Sequence, residues 1–165
     1  MSTYQLAQLN VGIIKGPMDS PVMAEFAASL ARINALADAA PGFVWRLQTE
    51  AGDATAIRPF PDPNLLLNMS VWRDLASLTQ YVYHSAHLVL MRRRREWFER
   101  MTQPYLVLWW VPAGHRPGIA EAVGRLERLR SEGPGPAAFT FRAAFPAPDA
   151  GAAPVVDAGE TCPAA

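Results

Sequence analysis

Hydrophobic and polar positions change period several times along the chain, and each change marks an element. Gln5 to Ile14 alternates, with Ala7, Leu9, Val11 and Ile13 on one side and Leu6, Gln8, Asn10 and Gly12 on the other, which predicts a strand. Gly16-Pro17 breaks it. Asp19 or Ser20 then caps a helix with Pro21 in its first turn, and Phe26, Leu30, Ile33 and Ala37 give that helix an apolar stripe to about Ala39. Pro41-Gly42 ends it, and Phe43 to Thr49 is a second strand with Phe43, Trp45 and Leu47 on one face. Ala51 to Pro63, with its Gly, Asp and Pro, is a loop, and Leu65 to Trp72 is a third strand. A long helix is expected from about Asp74 to Met101, stopped by Pro104. Tyr105 to Val111, rich in β-branched and aromatic residues, is the fourth strand. A turn at Pro112 to Pro117 leads to a short amphipathic helix, Ile119 to Arg130, and a last extended strand, Ala138 to Phe145.

The order β-α-β-β-α-β is the split βαβ, or ferredoxin-like, arrangement: an α+β fold with an antiparallel sheet, here with an extra C-terminal helix and strand. A chain of 165 residues suits one domain, expected over residues 1–145. Both faces of the sheet want cover. The third strand carries Leu65, Leu67, Met69 and Val71 on one face and Leu66 and Trp72 on the other, and the fourth is apolar on both. An antiparallel sheet usually keeps one face wet. Two helices cover one face, so a second copy is expected on the other, giving a face-to-face homodimer of the dimeric α+β barrel kind.

Composition narrows the function. Half of the residues are hydrophobic, enough for a sizeable core, and 15 basic against 15 acidic residues leave no formal net charge. That balance argues against a dedicated nucleic-acid binder and against steering towards membranes or polyanions. Apolar runs such as Leu106 to Pro112 fall far short of the ~20 residues of a membrane span, and Met1 to Gln5 does not open a signal peptide, so a cytoplasmic protein is expected. The single cysteine, Cys162, leaves no intrachain disulfide and no Cys-based metal site. Pro146 to Ala165 is dominated by Ala, Pro and Gly and has no aromatic, which predicts a disordered tail.

Four groups of residues carry candidate chemistry. His84 and His87, three apart on the long helix, share a face, where an imidazole can act as a base near neutral pH. They also suit a surface or backbone-bonded pair; a metal is not expected, because a third ligand is lacking and four arginines follow. Arg92 to Arg95 point in every direction, so most serve the solvated face. Taking Leu88 and Met91 as the inward rows brings Arg92 and Arg95 inward one turn later, where a buried guanidinium needs an anion. Trp109 and Trp110 face opposite ways on one strand, so one lines a cavity under the helices and the other the dimer seam; Trp72 adds a further indole. His115 follows Pro112-Ala-Gly in a loop at a strand end, a position that suits a site or a turn. No Walker loop, dinucleotide fingerprint, Gly-x-Ser-x-Gly elbow or His-Glu-x-x-His occurs.

Ser70-Val-Trp72, the run Tyr83-His-Ser-Ala-His87, Arg92-Arg-Arg-Arg-Glu-Trp97-Phe98 and Leu106-Val-Leu-Trp-Trp-Val-Pro-Ala-Gly-His115 together resemble an uncharacterised bacterial family, domain of unknown function 3291. The resemblance runs from about Leu6 to Phe145, and that family is similar to the antibiotic-biosynthesis monooxygenases and to small haem-degrading enzymes. It implies a cofactor-independent monooxygenase-like enzyme acting on an aromatic or enolic small molecule, with His87 or His84 as base, Arg92 or Arg95 steadying the anion, and Asn10, Tyr81 and a Trp positioning the ring. The haem branch implies Asn10 on the first strand, Tyr81 where those enzymes have a Trp, and Met91 where they have the iron-ligating His; His87 is the nearest substitute. Haem is thus a possible cofactor of the alternative, a haem-binding protein. A non-catalytic dimer that binds a small ligand or a partner is the third reading.

Overall fold

The structure, a computed structural model, describes residues 2–49, 52–55 and 57–151. Four strands, β1 (Tyr4–Ile13), β2 (Phe43–Arg46), β3 (Leu65–Trp72) and β4 (Leu106–Pro112), form one antiparallel sheet in the order β2-β3-β1-β4. The helix α1 (Ala24–Asp38) crosses from β1 to β2, and a helical segment crosses from β3 to β4. This is the ferredoxin-like order that the sequence predicts.

The strand register sorts the side chains. Leu6, Gln8, Asn10 and Gly12 of β1 oppose Trp72, Ser70, Asn68 and Leu66 of β3, and this face carries the crossover helices. The other face presents Ala7, Leu9, Val11, Leu67, Met69, Val71, Val107, Trp109 and Val111, all buried. That face is covered within the chain. The helix α5 (Ile119–Glu132) lays Ala122, Leu126 and Leu129 on it, and Ala54, Ile57 and Phe60 of the 52–63 loop add to the cover. The bare apolar face from which a second copy is expected is therefore occupied by the chain's own residues.

Three boundaries differ from the pattern reading. The helix expected over Asp74 to Met101 is three pieces: α2 (Leu75–His84), α3 (His87–Arg92) and α4 (Arg94–Trp97). Asp74 caps the first by accepting from the Ser77 N–H (2.8 Å). Ser85 ends it in an extended conformation, its hydroxyl donating to the Tyr81 carbonyl and accepting from the His87 N–H (3.1 Å). The strand expected to reach Thr49 stops at Arg46, because Thr49 turns back to pair with Asp53. Ala138 to Phe145 is not a strand. It bridges β4 at Phe139 alone and then turns where the Thr140 hydroxyl accepts from the Ala143 N–H. Its phenylalanines cover the helix side of β4, and Trp110 Nε1 donates to the Phe145 carbonyl (2.8 Å).

Gly42 is required where α1 hands over to β2. Its φ is +84°, and a Cβ there would lie 2.1 Å from the Ser77 hydroxyl. Past residue 145 the chain still makes contacts: Ala147 is buried and Asp149 accepts from the Ser2 and Thr3 hydroxyls. The remainder of the expected tail, residues 152–165 with Cys162, lies outside the described residues. Among the described residues no helix is long and apolar enough to cross a membrane.

The cover by α5 is testable. Leu126, fully buried between α5 and the sheet, is expected on truncation to Ala to lower stability by about 2–5 kcal/mol in urea unfolding. A loss within about 0.5 kcal/mol, typical of a surface site, would show that α5 does not seal this face.

Candidate functional site

Helix α1 buries only Ala37 and stands off the sheet. The space beneath it is a cavity of about 190 Å³, lined by α1, the helix-facing side of the sheet, and α2 to α4. Its floor is polar. Gln8 Nε2 donates to Asn68 Oδ1 (2.7 Å) and to Ser70 Oγ (3.0 Å), and Asn10 Nδ2 donates to Gln8 Oε1 (3.3 Å). Trp72 Nε1 also donates to Ser70 Oγ (2.8 Å). Gln8 thus takes up the oxygen of Asn68, so the amide N–H groups are what Asn68 has left to offer the cavity.

One wall is aromatic. Phe43 meets Trp72 edge-on at 5.4 Å, Trp72 stacks on Tyr81 at 5.0 Å, and Tyr81 lies 4.9 Å from the His87 ring. The Tyr81 hydroxyl donates to the Ile33 carbonyl of α1 (3.2 Å), and burial, with the nearby Asp38 charge, pushes its pKa up to about 12. Tyr81 therefore stays a neutral donor and is no base. Burial also holds the His87 pKa below the ordinary histidine value, a contact with the Val82 carbonyl opposing the shift in part. His87 Nδ1 is shut off from water and has no hydrogen-bond partner.

The cavity brings together five of the residues singled out in the sequence: Asn10, Trp72, Tyr81, His87 and Met91. The other five lie elsewhere. His84 is exposed and separated from His87 by the break at Ser85, so the two imidazoles do not form a pair on one helix face. Arg92 and Arg95 are exposed; of the four consecutive arginines Arg94 lines the cavity, and Arg46 of β2 lines it too. The break explains this correction. With Leu88 and Met91 as inward rows, an unbroken helix brings Arg92 and Arg95 inward; the segment is interrupted at Ser85 and again at Arg93, and His87, Leu90, Met91 and Arg94 line the cavity. Trp109 lies on the opposite face under α5, where its Nε1 donates to Glu121 Oε1 (3.0 Å). The other Glu121 oxygen pairs with His115 Nε2 (2.7 Å), so His115 too is remote from the cavity. Burial pushes the Glu121 pKa up, but the hydrogen bonds from His115 and Trp109 outweigh it and hold the carboxyl below its usual range.

Gln8, Asn68, Ser70 and Arg94 were not predicted. The first three had a signal: polar residues on the second face of two otherwise apolar strands. Among the described residues no cluster of three or more His, Cys, Asp or Glu could hold a metal ion.

The domain of unknown function DUF3291 matches residues 5–154. The chain belongs to that family. Among solved structures this DUF3291 protein is similar to SnoaB, a cofactor-independent oxygenase from Streptomyces nogalater, at 19% identity and a TM-score of 0.45, over 70% of this chain and 96% of that one. It is also similar to a protein of unknown function from Nitrosomonas europaea (18% identity, TM-score 0.43, 70% and 97% covered). A third likeness is to a protein from Pseudomonas aeruginosa (18% identity, TM-score 0.40, 72% and 98% covered). At these values the likenesses carry no functional argument. No curated protein matches the chain.

Two outcomes check the site of this DUF3291 chain. Ser70→Ala removes the shared acceptor of Gln8 and Trp72 and is expected to lower stability by about 1–3 kcal/mol, read by denaturant unfolding. The lowered pKa of His87 gives a signed pH dependence. The unfolded chain protonates this His from about pH 6.5 downward while the folded chain does not, so stability falls as pH drops below that value. In His87→Leu that part of the decline is expected to vanish; an unchanged profile would show that His87 is not held neutral.

Proposed function

We propose that this protein binds a planar aromatic or enolic small molecule in the cavity under α1, and that His87 accepts a proton from it as the first step of a cofactor-independent oxygenation. The observation that carries this reading is the buried, unpartnered Nδ1 of a half-buried imidazole beside a polar floor. Burial keeps the ring neutral near pH 7, the state a base needs.

The rest of the cavity suits the anion that proton removal leaves. The aromatic wall of Trp72 and Tyr81 offers a flat surface for a ring. Asn10 and Asn68, directly opposed on β1 and β3, offer amide N–H groups to an enolate or phenolate oxygen, and Gln8 fixes their orientation. The electron-rich anion then reduces dioxygen. An activated CH2 group becomes a carbonyl, one oxygen atom entering the substrate and the other leaving as water.

The residues present do not fit haem. A cavity of about 190 Å³ is smaller than the ~300–1,000 Å³ of drug-sized sites, and a porphyrin is larger than most such ligands.

The test is oxygen uptake with enolisable aromatic ketones and hydroquinones. One dioxygen is expected per substrate, and His87→Gln is expected to lower the rate about 10²–10⁴-fold. The rate of the unaltered protein is expected to hold through the ordinary histidine range and to fall only at the lower pH where the buried His87 becomes protonated. Full activity in His87→Gln sinks the base assignment. Binding with no turnover favours the non-catalytic reading.

A further inference from the structure

We infer that Ser70 binds the ligand of this cavity as a hydrogen-bond donor, and that it selects molecules presenting a carbonyl or oxyanion oxygen; this rests on reading the cavity as a small-molecule site. Ser70 lines the cavity and is 6% exposed. Its Oγ already accepts twice, from Gln8 Nε2 at 3.0 Å and from Trp72 Nε1 at 2.8 Å. A hydroxyl oxygen has two lone pairs, so both are in use and only the proton is left to offer.

The neighbours do not take that proton. Gln8 and Trp72 meet Ser70 through N–H groups. Arg46, opposite Ser70 on β2, carries donors only. The Asn68 oxygen, on the same face of β3, accepts from Gln8 at 2.7 Å and not from Ser70. Accepting two hydrogen bonds also polarises a hydroxyl and strengthens it as a donor. The floor thus holds an oriented O–H whose remaining outlet is the cavity.

The strand register fixes where a ligand meets it. Along this face Trp72 opposes Leu6, Ser70 opposes Gln8, and Asn68 opposes Asn10. Ser70 lies one step, about 7 Å at the strand rise, from the aromatic wall on one side and from the Asn68 amide on the other. A ring lying along Trp72 and Tyr81 brings an attached oxygen over Ser70. A hydroxyl there would meet an oxygen with no lone pair to spare, whereas a carbonyl brings lone pairs of its own. When a proton leaves the ligand, that carbonyl becomes an enolate oxygen, and the same O–H then makes a stronger, charge-assisted bond. The ligand class is therefore an aryl ketone.

Equilibrium dialysis with 9-fluorenone and with fluorene tests this, because the two share a skeleton and fluorenone has no enolisable hydrogen. Fluorenone is expected to bind about three- to tenfold tighter, the worth of one hydrogen bond. Ser70→Ala is expected to bring the two probes level, and Ser70→Thr, which keeps a hydroxyl, to retain the preference. Ser70→Ala also removes the acceptor of Gln8 and Trp72, so the ratio of the two affinities is the readout and not either affinity alone. Infrared spectra supply a measurement on the unaltered protein. The carbonyl stretch of bound fluorenone is expected below its position in cyclohexane, and to return towards it in Ser70→Ala. If both probes bind the unaltered protein equally, or the stretch is unshifted, the donor is wrong and the cavity reading stands. If Ser70→Ala weakens both probes alike and leaves the shift in place, Ser70 acts through the fold and the inference fails. If neither probe binds, the cavity reading falls and takes this one with it.

Discussion

One serine divides the helical segment that walls the cavity between β3 and β4. Between α2 and α3 the Ser85 hydroxyl takes the place of the helical ladder, donating to the Tyr81 carbonyl and accepting from the His87 N–H. Those backbone groups would otherwise be left open at a helix break. Ser85 itself is extended, so α3 restarts as a separate piece, and after a further interruption at Arg93 the residues that line the cavity are His87, Leu90, Met91 and Arg94.

A second constraint keeps the cavity open. The two faces of β1 and β3 are built differently, and the helices respond. Under α5 every inward residue of these strands is apolar, and α5 packs onto them directly. Under α1 the same strands present Gln8, Asn10, Asn68 and Ser70. Collapsing apolar Leu30 or Ile33 onto those amides would strip water from groups that α1 cannot satisfy, at about 1–3 kcal/mol each. The apolar gain is of similar size, about 1.5–3 kcal/mol for a fully buried Leu or Ile. The two effects nearly cancel, and α1 stays raised, tied to the wall by the Tyr81 hydroxyl.

The four sheet strands and their order were legible because period-two alternation is a strong signal, whereas Ala138 to Phe145, expected as a further strand, makes a single bridge to β4. Helix α5 was legible from its stripe, but not the face it covers, which depends on long-range packing. A second copy was expected where α5 lies for that reason. The helical break was hidden by its surroundings: Leu88 to Arg95 is a run of good helix formers, and the cue was the short pair His84-Ser85, both weak in a helix interior. Which of the four arginines faces the cavity depends on that interruption. Asn68 and Ser70 stand in plain alternation with Leu67 and Met69, the same signal that Gln8 and Asn10 give on the strand they pair with.

His115 and His87 show how partners separate a structural imidazole from one with work left to do. The His115 ring is held by Glu121, which also satisfies the indole of the fully buried Trp109, so this set of polar groups is closed and ties a loop to the core through α5. His87 is the opposite case. Among the described residues its Nδ1 is the buried side-chain atom without a partner. An orphan of that kind lowers stability by about 1–3 kcal/mol, and native structures hold few of them. A leucine would fill the position without that penalty. The imbalance is confined to the wall where an acidic ligand group would meet it, beside a floor of amides already aligned by Gln8.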